Sequence, residues 1–170
     1  VNWISFVIDN NENIILTHSK NNISSIFANK YNGSFWQSLD TIFGGIAGTD
    51  PYFTLEMSLN FEPYIVRPDF LGGDSITFAT YKYDNGIWNA ITPLTVEAEI
   101  DEEQLASIFC VGYIPWLIIP IEINFNETFI VYNYDNNIWS SISSPPAIQD
   151  CEYYAIATNQ SGIPHITYVD

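Results

Sequence analysis

The chain has 170 residues, of which 47% are apolar and only 14% charged, so it is a folded chain and not a disordered one. Four cations (Lys20, Lys30, Arg67, Lys82) stand against twenty acids, a net charge of −16. That balance excludes nucleic-acid binding and adsorption to an anionic membrane, since both need clustered Lys and Arg.

In chain order, residues 3–20 (WISFVIDNNENIILTHSK) read as an apolar run, a polar turn and a second apolar run that starts near Ile14. The turn at residues 9–13 is rich in side-chain oxygens but has neither the EF-hand spacing nor its glycine. Residues 31–36 read YNGSFW, and residues 63–66 read PYIV. Residues 76–83 alternate as a strand should, with Ile76, Phe78 and Thr80 on one face and Thr77, Ala79 and Tyr81 on the other. YDNGIW follows at residues 83–88, and its Asp84-Asn85-Gly86 signals a hairpin because Asn and Gly tolerate positive φ.

Residues 96–105 (VEAEIDEEQL) fall on a connector and read as an acidic loop with at most one helical turn. The longest apolar run, residues 108–123, is interrupted by Pro115, Pro120 and Glu122 and is too short to cross a membrane as a helix. Residues 134–139 read YDNNIW, and residues 153–170 return to the apolar–turn–apolar pattern, with PHITYV at 164–169.

These pieces repeat. Trp36, Trp88 and Trp139 close the three similar hexamers at spacings of 52 and 51. Pro63, Pro115 and Pro164 open a second marker at spacings of 52 and 49. Residues 3–20 lie on residues 153–170 at an offset of 150, with Ile14 where the last copy has Pro164. A unit of about 50 residues that reads as four short antiparallel strands is the size of a β-propeller blade. The expectation is an all-β fold of about three and a half blades: 3–52, 53–103, 104–152 and a half-blade at 153–170. Three and a half blades do not close a ring. The gap is expected to be filled by a second chain, a second copy (a dimer) or further sequence.

The repeated hexamers supply the candidate ligand-binding residues: Trp36, Trp88, Trp139, Tyr83, Tyr134, Asp84, Asp135 and Asn32. A tryptophan in every unit has two readings: it packs one blade on the next, or its ring is a platform for sugar C–H faces with Asp, Asn and Tyr holding the hydroxyls. Repeated weak sites would gain strength by multivalency. Asp84, Asp135 and Asn32 equally suit turn chemistry.

Residues 153–170 resemble a repeat of secreted bacterial propeller proteins: a strand, a polar Gly-containing turn, then Pro-His-Ile-Ser/Ala-Tyr. Pro164, His165, Ile166, Thr167 and Tyr168 match that stretch, and Gly86 with Trp88 matches its Gly–x–Trp hairpin. More distantly the chain looks like propeller lectins. Its hairpin is similar to the Asp-box of sialidase-type propellers, but the Asp–Trp spacing is one residue shorter and the Ser and Thr positions differ. The resemblance implies export, a propeller fold, and binding or display in preference to one defined chemistry. A sialidase also needs three arginines, and Arg67 is the only one here.

No nucleophile elbow, P-loop, HExxH or GxGxxG occurs. Asp9, Glu62, Asp69 and Glu122 lie near strand ends, but among twenty acids some close pair is inevitable. Cys110 and Cys151 read equally as one bridge or two thiols, and His18 and His165 as packed strand residues. Sequons at Asn22, Asn32, Asn126 and Asn159 add weak support for export. The function expected is non-catalytic glycan binding by an extracellular protein, with no cofactor or metal. The alternatives are a structural or adhesive protein-interaction scaffold and, third, a glycoside hydrolase.

Overall fold

The computed structural model describes residues 3–20, 23–42, 52–70, 75–97, 106–123, 126–142, 153–159 and 163–169. Among them the regular structure is entirely antiparallel β. Sheet 1 runs β1 (Ile4–Ile8), β2 (Ile14–Lys20), β3 (Ile23–Tyr31), β4 (Trp36–Ser38). Sheet 2 runs β5 (Thr54–Met57), β6 (Pro63–Phe70), β7 (Ser75–Asp84), β8 (Ile87–Ala90), and β9 (Leu94–Glu97) also pairs with β7. Sheet 3 runs β10 (Ser107–Val111), β11 (Ile114–Ile123), β12 (Asn126–Asp135), β13 (Ile138–Ser141). Sheet 4 is the pair β14 (Tyr153–Thr158) and β15 (Pro164–Val169).

The repeat is visible in the register. Tyr31 lies opposite Trp36, Tyr83 opposite Trp88 and Tyr134 opposite Trp139. The outer strand of each full sheet then breaks pairing at one place. There Leu39, Ile91 and Ile142 donate their N–H to the carbonyls of Ala28, Thr80 and Val131 at 2.9–3.0 Å. In sheet 1 the outer edge resumes as a single bridge, Ile42 to Ile26, and in sheet 2 as β9 on Ser75–Phe78. This corrects the reading of the connector after Thr92. Leu94 and Val96 point inward while Thr95 and Glu97 point out, so a period of two overrides the acidic composition of the neighbouring residues. The remainder of that stretch, 98–105, lies outside the described residues, as do Cys151 and residues 160–162 of the last turn.

The sheets stack face to face. One cluster joins Ile26, Ala28 and Ile42 of sheet 1 to Phe53, Leu55, Ile65 and Trp88 of sheet 2. The opposite face of sheet 2, with Tyr64, Val66, Phe78, Leu94 and Val96, packs on Ile108, Leu117, Ile119 and Ile121 of sheet 3. The far face of sheet 3 (Phe109, Ile118, Phe129, Val131) meets Ile156 and Ile166 of sheet 4. The first strands lie side by side, β1 against β5 and β5 against β10. Thr54 ties the last pair, its hydroxyl accepting from the Ile108 N–H at 3.2 Å. Middle sheets are thus buried on both faces, and their strands carry apolar residues at adjacent as well as alternate positions, as in IPWLIIPIEI.

Candidate binding surface at the turn end

The chain reverses twice at one end of every full sheet, once between its first two strands and once between its last two. All candidate residues from the repeated hexamers lie at or beside this turn end. The inner turns share one device. Asp9 and Ser58 each stand first in a five-residue turn, and their side chains, like that of Asn159, each accept the backbone N–H four residues on (Asn13, Glu62, Ile163) at 2.9–3.1 Å. Sheet 3 replaces this loop by the two-residue turn Gly112-Tyr113, with Gly112 at φ +64. Its Gly112 carbonyl accepts the Leu59 N–H at 2.8 Å, linking the inner turns of neighbouring sheets.

The outer hairpins carry the predicted residues. Asn85 and Gly86 both have positive φ, as do Asn136 and Asn137, so both hairpins are the type whose twist matches the strands. Asp84 accepts from Asn85 Nδ2 at 3.0 Å, and Asp135 from Asn136 Nδ2 at 3.1 Å. In sheet 1 the Asn32 side chain accepts the N–H of Ser34 and of Phe35, both at 3.1 Å. These three side chains serve their own turns and remain exposed.

The three tryptophans share a local setting and differ in surroundings. Each ring lies 5.0–5.1 Å from its opposite tyrosine (Tyr31, Tyr83, Tyr134). Trp88 is only 9% exposed and belongs to the cluster between sheets 1 and 2. Trp139 is half-buried against sheet 2, where its Nε1 donates to the Thr92 carbonyl at 2.8 Å. Trp36 is 52% exposed, and no sheet among the described residues covers it. Residues just past β4 and β8 staple the hairpin of the following sheet. Asp40 accepts the Trp88 N–H at 3.4 Å, and the Thr92 hydroxyl donates to the Asn137 carbonyl at 3.2 Å. Tyr83 and Tyr134 are half-buried, and burial, then the Asp40 charge, raises the Tyr83 pKa. The structure therefore gathers the eight candidates into three equivalent hairpins but not into one cleft, and it leaves one indole open.

Three of the carboxylates near strand ends form ion pairs. Lys30 donates to Asp9 at 2.7 Å, Lys82 pairs with Glu62 at 2.6 Å and Arg67 with Asp69 at 3.0 Å. Burial would raise the Asp9 pKa, but donation from Lys30, from the Asn13 side chain and from the backbone N–H of Asn13 and Asn11 outweighs it and brings the group to about 2. Glu56 shifts the other way: burial raises it, against one backbone hydrogen bond at Met57. The Cys110 thiol is free and half-buried, and burial, then Glu56 and Glu62, pushes it up to about 12.

One set of residues escaped the sequence reading. Outside the uncovered face of sheet 1, every exposed large apolar side chain among the described residues lies at the turn end. Phe35, Ile87 and Ile138 occupy one equivalent position in the outer hairpins, and Leu59, Phe61, Tyr113 and Ile163 sit in the inner turns. The signal was present: each repeated Trp is preceded by an apolar residue, which strand alternation turns to the opposite face. Compared with known protein families and with curated proteins, the chain shows no significant match.

Proposed function

We propose that the chain is a segment of a β-propeller, with its sheets as successive blades, and that it acts outside the cell as a non-catalytic scaffold that grips a protein partner through the turn end. The blade reading is supported by face-to-face stacking with first strands side by side, an arrangement that a single twisted sheet would not give. The recognition reading rests on one observation: outside the uncovered face of sheet 1, the exposed large apolar side chains of the described residues all lie at the turn end, among acidic and Asn-rich tips. Selection of phage-displayed peptides on the immobilised protein tests it. Peptides that compete with one another and fail on an Ile87→Asp/Ile138→Asp variant support it, whereas peptides unaffected by that variant place recognition elsewhere.

Glycan binding is the second reading, favoured by the open Tyr31–Trp36 pair beside Asn32. A glycan array decides it. Hits competed by free sugar and lost in Trp36→Ala support a lectin, and a blank array leaves the scaffold.

A further inference from the structure

The uncovered face of sheet 1 is built like faces that are covered elsewhere in the molecule. Ile4 and Phe6 are 64% and 61% exposed, and at the equivalent places just before and on β5, Phe53 and Leu55 are 4% and 7% exposed. Trp36 bears the same relation to Trp88. What covers Phe53, Leu55 and Trp88 is the far face of the preceding sheet, with small and β-branched side chains such as Ala28 and Ile26.

Sheet 4 carries a face of that covering kind and leaves it open. Ala155, Ala157, His165 and Thr167 point away from sheet 3 and are exposed. They hold the positions that Ser5, Val7, Ile15 and Thr17 hold on the covering face of sheet 1. The match extends to a hydrogen bond: the Thr17 hydroxyl donates to the Ser5 carbonyl at 3.3 Å, and Thr167 donates to Ala155 at 3.5 Å. In a chain with twenty acids, none of the described side chains on either open face is acidic.

We propose that sheet 4 of one copy covers sheet 1 of a second copy, repeating between chains the contact that stacks the sheets within one. The contact joins two different faces, so a pair of copies closes when both faces of each are used. Two copies bring eight sheets together, six of them with at least four strands, within the size of known closed propellers. The inference rests on the blade reading and is independent of what the turn end binds.

The test is native mass of the full chain with paired variants. Wild type is expected at twice 19.3 kDa. Phe6→Asp and Ala157→Asp each place a charge on one open face of a folded monomer. Each is expected to weaken association at least ~100-fold, the scale of losing a central contact. Mixing them is expected to restore a two-chain species, because each then supplies the face that the other lacks. A monomeric wild type, an Ala157→Asp protein that still pairs, or a mixture that stays monomeric overturns the proposal. Ile87→Asp/Ile138→Asp is expected to leave the mass unchanged, which separates failure here from failure of the turn-end reading. Circular dichroism on every variant confirms that it folds.

Discussion

Trp36 and Trp88 are the same residue in the same hairpin position, each against its own tyrosine, yet one is open and the other sealed. Nothing within the hairpin accounts for the difference. It comes from the neighbour: sheet 1 lies over Trp88, and no described sheet lies over Trp36. A repeat of this kind therefore encodes a surface for stacking as well as a local fold, and the fate of that surface depends on what is next to it.

The sharpest way to break the comparison is truncation of both rings. Trp88→Ala should lower unfolding free energy by about 3 kcal/mol, the usual cost of emptying a buried aromatic site. Trp36→Ala should cost about 1 kcal/mol or less, chiefly the lost tyrosine contact. Urea unfolding of the two variants reads this directly, and equal losses would mean that position within the hairpin, not the neighbouring sheet, sets the energetics.

The second comparison is between hairpins. Gly86 sits at φ +89, so Gly86→Val should destabilise by about 1–2 kcal/mol through backbone strain. Asn137, at φ +64, already bears part of that strain in sheet 3, and Asn137→Gly should be neutral or stabilise by about 0.5 kcal/mol. Thermal melts of the pair check both signs.

The inner turns give the third. Asp9 caps its turn as an ion and Ser58 as a neutral hydroxyl. The folded pKa of Asp9, about 2, lies below its ordinary value of 3.8. The stability it contributes is therefore complete above pH 4 and is lost as pH falls from 4 towards 2. Discounted for solvent screening, that contribution is about 1 kcal/mol. Asp9→Asn should cost that much at pH 7, and its unfolding curve should converge on wild type near pH 2. The smallest effect expected is at Lys82. Its pair with Glu62 is partly exposed, so Lys82→Met should change stability by about 0.5 kcal/mol or less, and added salt should shrink the difference.

Most strands were legible because apolar alternation and the Asn-Gly turn act locally, within about ten residues. The spacing of Trp36, Trp88 and Trp139 likewise marked equivalent hairpins. What the spacing did not carry was the environment of each indole, because burial depends on a sheet some 50 residues away. β9 was hidden for a related reason. Leu94 and Val96 alternate over only four residues, and the acidic stretch after them dominates the composition. The shared inner-turn device was obscured because Asp9, Ser58 and Asn159 differ in type while performing one hydrogen-bonding task.

Cys110 turns the stacking into something that can be timed. Its thiol lies in the layer between sheets 2 and 3 and is pushed up to about 12, so at neutral pH almost none of it is the reactive thiolate. Alkylation is therefore slow while the two sheets stay stacked over this half-buried thiol and quickens when they part. With Cys151 replaced by Ser, the labelling rate of Cys110 becomes a clock for the opening of one interface. It would report that event while the rest of the molecule stays folded.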